Sequence, residues 1–469
     1  MRPPLAGLRR RWEAEGGYRE FLRVAIPLIL TTASWSIQHF VNRVFLAWYS
    51  TEALAAAMPA GMASFAFLSL FMGTAQYANT FVAQYMGARR PERVGPAVWQ
   101  AVHLGVASGV LALVPAAVAG PLFELAGHEA AIRPHEATYF RILCYGTGPQ
   151  VVSTATSCFF SGRGQTWVML VVNVLSIGIN IVLDYGLIFG RWGLPEMGIA
   201  GAAWATNTGV LVSAVLYLLL FLGPRYRAQY ATLRGWRPEA ALFGRLLRFG
   251  GPNGLNFMLD VLAFALFMLV VGRVGTMELA ATNLAFNINS LAFMPLIGCG
   301  IAVSTMVGQR LGRSDPEGAE YCTWTGFHLG ATYMAAMVVG YVLVPDLFLV
   351  PFGLRSQGAE FAAARDLAAI LLRFVAVYCL SDAFYMVFTA ALKGAGDTRY
   401  IMWLSVALAW CIMVIPSYVA LAWFDAGIFT LWGFVCAYVV VMGVVFYLRF
   451  RTGRWKSMRV IEDGALPDG

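Results

Sequence analysis

Residues 82–92 read Val-Ala-Gln-Tyr-Met-Gly-Ala-Arg-Arg-Pro-Glu, and residues 307–317 read Val-Gly-Gln-Arg-Leu-Gly-Arg-Ser-Asp-Pro-Glu. The two stretches lie 225 positions apart and share Val, Gln, Gly, Pro and Glu at matching places. Held at that offset, the match spreads outward. Pro27 meets Pro252, Thr51-Glu-Ala-Leu-Ala-Ala56 meets Thr276-Met-Glu-Leu-Ala-Ala281, and Gly73 meets Gly298. From 27 to 92, 14 of 66 positions are identical. Later the offset becomes 232, where Arg141 meets Arg373 and Ser161-Gly-Arg-Gly-Gln-Thr166 meets Lys393-Gly-Ala-Gly-Asp-Thr398. Self-similarity at a fixed offset marks one unit written twice. The matching glycines are expected to end helices or permit tight turns, and the paired prolines to kink their spans. The expected division is an N-terminal lobe, 1–230, and a C-terminal lobe, 231–469.

The unit is one that lipid covers. Of 469 residues, 59% are hydrophobic and only 12% charged, against about 25% charged in a soluble domain. A surface so poor in charge cannot be solvated by water alone. A membrane span needs roughly 20 apolar residues. Such runs fall near 21–48, 55–83, 97–119, 137–160, 167–190, 198–223, 246–271, 279–308, 321–345, 369–392, 400–423 and 428–448. The expected fold is therefore all-α and integral to the membrane, with 12 transmembrane helices in two homologous six-helix bundles. Six is even, so both copies enter the membrane the same way, related by a pseudo-two-fold along its normal.

Basic residues orient the chain. With the N-terminus inside, cytoplasmic segments hold 25 of the 33 Lys and Arg, from Arg2, Arg9 and Arg10 through the basic tail 449–459. Only Arg133, Arg191, Arg273, Arg355 and Arg365 fall in outer loops. That bias predicts a plasma (inner) membrane protein with both termini cytoplasmic. The net charge of +8 then faces the anionic leaflet, and no nucleic-acid partner is implied. Seven scattered cysteines with no C-x-x-C spacing argue against a disulfide framework or metal site. No H-E-x-x-H or comparable cluster supports an enzyme. The N-terminus is arginine-rich but carries no apolar run of the signal-peptide kind.

Taken together, T-E-A-L-A-A at 51–56, V-A-Q-Y-M-G-A-R-R-P-E at 82–92, N-I-V-L-D-Y-G-L-I-F-G at 180–190, M-E-L-A-A-T-N-L-A-F-N-I-N-S-L-A-F-M-P at 277–295 and K-G-A-G-D-T-R at 393–399 resemble the multidrug and toxic compound extrusion (MATE) family, NorM-like branch, over about residues 15–450. The resemblance implies an antiporter that exchanges Na+ or H+ for lipophilic, mostly cationic organic compounds by alternating access. It implies no cofactor beyond the coupling ion, a small-molecule substrate, a lipid bilayer around the chain, and action as a monomer. The alternative within the same superfamily is a flippase or exporter of a lipid-linked or endogenous metabolite. That cargo would call for several positive charges in the cleft, and Arg43 is the only deep candidate.

Away from span ends, the acids within spans are Asp184, Asp260 and Asp382. A carboxylate in a span is costly enough to suggest an ion ligand or proton relay. The repeat partners of Asp260 and Asp382 are Trp35 and Gln150, so the two halves have diverged in chemistry. The resemblance implies that a span-7 Glu and a span-10 Asp form the coupling site. Asp260 stands at the former position, one methylene shorter, and Asp382 at the latter. Asn287 and Asn289 could add hard oxygen ligands for Na+, or like-charge proximity could load one carboxylate with a proton. In the first half, Asn180 and Asp184 are one turn apart and share a helix face. The family's N-lobe site also uses a span-1 Asp; this sequence has Asn42, followed by Arg43. Arg43 is expected either to snorkel or to pair with Asp184.

Overall fold

The computed structural model describes residues 11–125, 130, 132–353 and 359–462. Arg2, Arg9, Arg10 and Arg355, which entered the charge argument, lie outside the described residues. Twelve helical stretches correspond to the twelve apolar runs. They are α1 (Tyr18–Tyr49), α2 (Thr51–Gly87), α3 (Pro91–Ala117), α4 (Arg133–Tyr145 and Thr147–Ser161), α5 (Thr166–Phe189) and α6 (Ile199–Phe221), then α7 (Ala240–Val274), α8 (Thr276–Gly312), α9 (Pro316–Leu343), α10 (Ala359–Ala395), α11 (Thr398–Phe424) and α12 (Ile428–Arg451). Among the described residues eleven helices are long and apolar enough to cross a membrane. The twelfth stretch, α4, is interrupted at Gly146, whose N–H bonds back to Leu143 O. A Cβ there would meet the Asn207 side chain of α6, which itself donates to Ile142 O. An amide from a neighbouring helix thus satisfies a carbonyl freed by the break.

Local sequence explains the other irregularities. Pro27, Pro59, Pro252 and Pro295 lie inside helices, each deleting one backbone hydrogen bond. In α11 a π-helical turn, Ala409–Val414, stands immediately before Ile415-Pro416. The wider turn accommodates the proline without ending the span. The polar connection 224–245 is ordered, with a short helix at Pro224–Tyr230 and a 3-10 turn at Arg234–Trp236.

By packing, the chain sorts into two compact units. One holds residues 30–258, 312–314 and the tail from 459; the other holds the segment up to 29, then 259–311 and 315–458. The core of the first is rich in small residues: Ala53, Ala56, Ala60, Ala112, Ala116, Ala202 and Ala203 close around Phe123 and Phe140. Small residues let helix backbones approach where burial from water does not drive association. The tightest case is α3 against α4. Gly105 and Gly109, four apart, face the Val152 and Gly148 region of α4, and a Cβ on Gly109 would lie 3.0 Å from Gly148 Cα.

The matching pair Gly73 and Gly298 departs from the expectation of helix ends or tight turns. Both lie inside helices at backbone crossings. In the first unit, a Cβ on Gly73 of α2 would lie 2.9 Å from Gly254 Cα of α7, and Asn253 Nδ2 donates to Gly73 O at 2.7 Å. In the second, a Cβ on Gly298 of α8 would lie 2.7 Å from Ile29 N of α1. Ile29 and Gly254 are themselves 225 apart. Each unit therefore receives the opening half of the other repeat's first helix, through a crossing only glycine permits.

Candidate functional site: buried carboxylates in each unit

In the unit carrying most of the second repeat, Asp260 lies on α7 and Asp382 on α10. Asp382 is buried, at 5% exposure, and Asp260 is half-buried. Tyr385 of α10 and Tyr438 of α12 each stand within electrostatic reach of both carboxylates. Two acids from different helices therefore act electrostatically on the same two phenols. Asn289 of α8 donates from Nδ2 to Tyr378 Oη at 3.4 Å, and Tyr378, one turn before Asp382, also feels that charge. The Asn289 Oδ1 is buried without a hydrogen-bond partner among the described residues. Asn287 donates to Asn283 O within its own helix, at 2.8 Å. The structure thus links Asn289 to the neighbourhood of Asp382 through Tyr378, whereas Asn287 bonds within α8.

Sequence reasoning missed the tyrosines. Tyr378, Asp382, Tyr385, Thr389 and Lys393 are spaced 4, 3, 4 and 4 residues apart on α10, which places them along one helix face. Lys393 at the end of that stripe is within electrostatic reach of Asp260. The spacing was a legible signal. That the stripe turns toward α7 and α12 rather than lipid was not.

In the other unit, Asn180 and Asp184 of α5 are both fully buried. Ser176 precedes them by one turn, so Ser176, Asn180 and Asp184 form a second polar stripe. Ser176 Oγ, both amide atoms of Asn180 and Asp184 Oδ1 have no hydrogen-bond partner among the described residues. Buried polar atoms are normally satisfied, so this row of them lines a position suited to a polar guest. Asp184 Oδ2 faces the side-chain amide of Asn42 on α1, an amide that also lies 3.4 Å from Thr206 Oγ1. The orientation that satisfies the Asn42 amide points Nδ2 at Asp184 Oδ2 and at Gln38 O (3.1 Å). Arg43 has an exposed side chain and acts electrostatically on Tyr139 and His39. Tyr139 also feels Asp184. Gly209 of α6 lets that helix close on Asn180, where a Cβ would stand 3.0 Å from Asn180 Cβ.

Among the described residues no group of three His, Cys, Asp or Glu side chains is placed to hold a metal ion. The family model MatE matches residues 27–186 and again 252–419. Its two matches begin at the paired prolines, 225 residues apart. The "Probable multidrug resistance protein NorM" of Brucella suis biovar 1 is 26% identical over 456 residues, covering 96% of each chain. The "Multidrug resistance protein NorM" of Burkholderia vietnamiensis is 28% identical over 379 residues, 80% of this chain and 81% of that one. Among solved structures, an outward-facing multidrug resistance MATE family transporter of the MOP superfamily superposes with a TM-score of 0.85 at 20% identity, covering 96% of this chain and 98% of the other. A MATE crystallised in complex with MaL6 gives 0.84, also at 20% identity, with 96% and 99% covered. A duplicated set of membrane helices, carboxylates buried in each unit and a family match that repeats at the same offset agree: this multi-pass membrane chain, a transporter of small molecules and not an enzyme, belongs to the MatE family of multidrug efflux transporters.

Proposed function

We propose that the chain is a cation-coupled antiporter that expels lipophilic, mostly cationic compounds, with Asp260 and Asp382 as the coupling acids. The observation that carries this reading is that both acids, from α7 and α10, act electrostatically on the same two tyrosines, Tyr385 of α10 and Tyr438 of α12, with Asp382 buried. A coupling site must bind its ion in one conformation and release it in the other. Two carboxylates, and Asn289 by way of Tyr378, would supply hard oxygen atoms for Na+ or a proton-accepting pair. Asn287 stands by as a further amide on α8. On this reading the lobes 1–230 and 231–469 are the moving parts, less the opening halves of α1 and α7, which pack with the other repeat's unit; the protein works as a monomer in the inner membrane, and both termini are cytoplasmic.

A second site supports a proton step in the first unit. Ser176, Asn180 and Asp184 present unpartnered buried polar atoms in a row, with Asn42 as the donor that orients Asp184 and Arg43 adding positive charge near Tyr139. The test is efflux of ethidium from proteoliposomes under an imposed Na+ or H+ gradient. Asp260→Asn and Asp382→Asn are each expected to lose gradient-driven efflux while still inserting in the membrane. Efflux that persists in both variants would overturn the assignment, and the gradient that drives the wild type identifies the ion. Asp184→Asn distinguishes the second site: if it alone stops efflux, coupling runs through the first unit.

A further inference from the structure

The tail that follows α12 carries a site that efflux chemistry does not use. Arg459–Glu462 belong to the first unit, where Val460 and Ile461 are buried at 1% and 9% exposure. Val460 N donates to Gln84 Oε1 of α2 at 2.9 Å, and Arg459 Nη2 donates to Ser314 Oγ at 2.8 Å. These contacts seat Glu462 among cations. Its Oε1 lies 3.3 Å from Arg90 Nη2 and 3.4 Å from Arg93 Nε. Its Oε2 pairs with Arg245 of α7 and accepts from Tyr85 Oη at 2.8 Å. Arg90 Nη1 also reaches the Glu462 carbonyl oxygen, at 3.5 Å. Arg93 is shared with Glu239, at 3.0 Å.

Charge and donors are both in surplus here. Among the described residues three guanidinium groups face two carboxylates, Glu239 and Glu462, which leaves one positive charge in surplus there. Without Glu462 it would hold two. Three guanidinium groups and a phenol offer more N–H and O–H donors than one carboxylate can accept. Planar forks converging on one oxyanion are the arrangement that suits phosphate. The tail's own carboxylate demonstrates that the site takes an oxyanion, and the cluster sits where α2 gives way to α3, at the arginine-rich end of the helices.

We propose that Tyr85, Arg90, Arg93 and Arg245 form a phosphate-binding site that Glu462 occupies in cis, and that a phosphate group displaces the tail from it. In a cell membrane the phosphate comes from an anionic lipid headgroup or from free phosphate. Either ligand must break the Glu462 ion pairs, and release frees residues 459–462 from α2 and from Ser314. The tail then reports on what surrounds the protein.

The test follows trypsin cleavage of the Arg459–Val460 bond, read by intact mass, in full-length protein held in lipid nanodiscs. It reads tail docking and not transport, so it is independent of the antiport assignment. In phosphatidylcholine alone, the wild type should be cut slowly and Glu462→Gln, an isosteric change in the tail, about tenfold faster, the combined weight of three partly exposed ion pairs. Phosphatidylglycerol added to the discs should accelerate wild-type cleavage toward the Glu462→Gln rate and leave the variant unchanged. Inorganic phosphate added to phosphatidylcholine discs is the other arm. Acceleration by phosphatidylglycerol alone identifies the lipid headgroup, and acceleration by inorganic phosphate identifies the free anion. The proposal fails if neither arm accelerates cleavage, if Glu462→Gln is cut no faster than the wild type, or if the variant responds to either anion as the wild type does.

Discussion

Arg163 illustrates how a charged residue is settled by its neighbours. Its guanidinium carbon stands 4.4 Å from the Phe159 ring centroid, 4.7 Å from Tyr226 and 4.1 Å from Tyr230, while Nε and Nη1 have no hydrogen-bond partner among the described residues. Three rings thus replace hydrogen bonds and pin the α4–α5 turn to the Pro224–Tyr230 helix. Arg163→Ala should lower stability by about 1–2 kcal/mol and Arg163→Lys by less, seen as a drop in thermal unfolding temperature in detergent. Asn42 is the corresponding case on α1. Replacing it with Leu would leave Asp184 Oδ2 without its donor and should cost about 1–3 kcal/mol, read in the same assay. Residue identity alone makes Asp184 conspicuous, because a carboxylate inside an apolar run has no bland explanation. Its partner is not legible in that way: Asn42 and Arg43 are adjacent on α1, and only the helix's rotation decides which of them faces α5.

At the scale of elements, apolar runs located all twelve helices, since a span is defined by composition over about twenty residues. The break in α4 falls in Gly146-Thr147-Gly148-Pro149, where a proline without an N–H and two glycines weaken the helix locally; only the donor that meets the freed Ile142 carbonyl, Asn207 of α6, lies far along the chain. The α3–α4 crossing is set by Gly105, Gly109 and Gly148. Gly148→Leu should force the backbones apart and cost about 1–3 kcal/mol through overpacking, measurable as a lower unfolding midpoint. Gly178 has nothing within reach of an added Cβ, so Gly178→Ala should leave that midpoint unchanged or slightly raised. Unequal outcomes for two helix-interior glycines would separate close packing from helix propensity.

For the whole molecule, the tail makes a pH prediction with a definite sign. Partial burial pushes the Glu462 carboxyl up, but hydrogen bonds from Arg245, its own backbone N–H and Tyr85 outweigh it and hold the group down to about 2. A carboxyl lowered on folding stabilises its contact above its unfolded value, and that contribution disappears as pH falls through the folded one. Tail docking should therefore be constant across neutral pH and be lost only between the ordinary glutamate range, about 4.3, and about 2. Trypsin does not work there, so a fluorophore on a cysteine introduced at Ala465 would follow it; release already at pH 6 would contradict the prediction.

Letters along the chain are enough to establish a duplicated set of membrane helices, the order in which they run, and the acids that lie within them. Those properties are local: hydropathy is summed over neighbours in the chain, and a repeat survives as matching residues. What depends on residues far apart came from packing. It sent the opening half of α1 to the unit of α8, and that of α7 to the unit of α2, because paired glycines allow those crossings. It turned the α10 stripe toward Asp260, gave Asp184 to Asn42, and carried Glu462 to Arg90, Arg93 and Arg245. Each of these pairings is fixed by helix rotation and close packing, which side chains more than a hundred residues apart decide together.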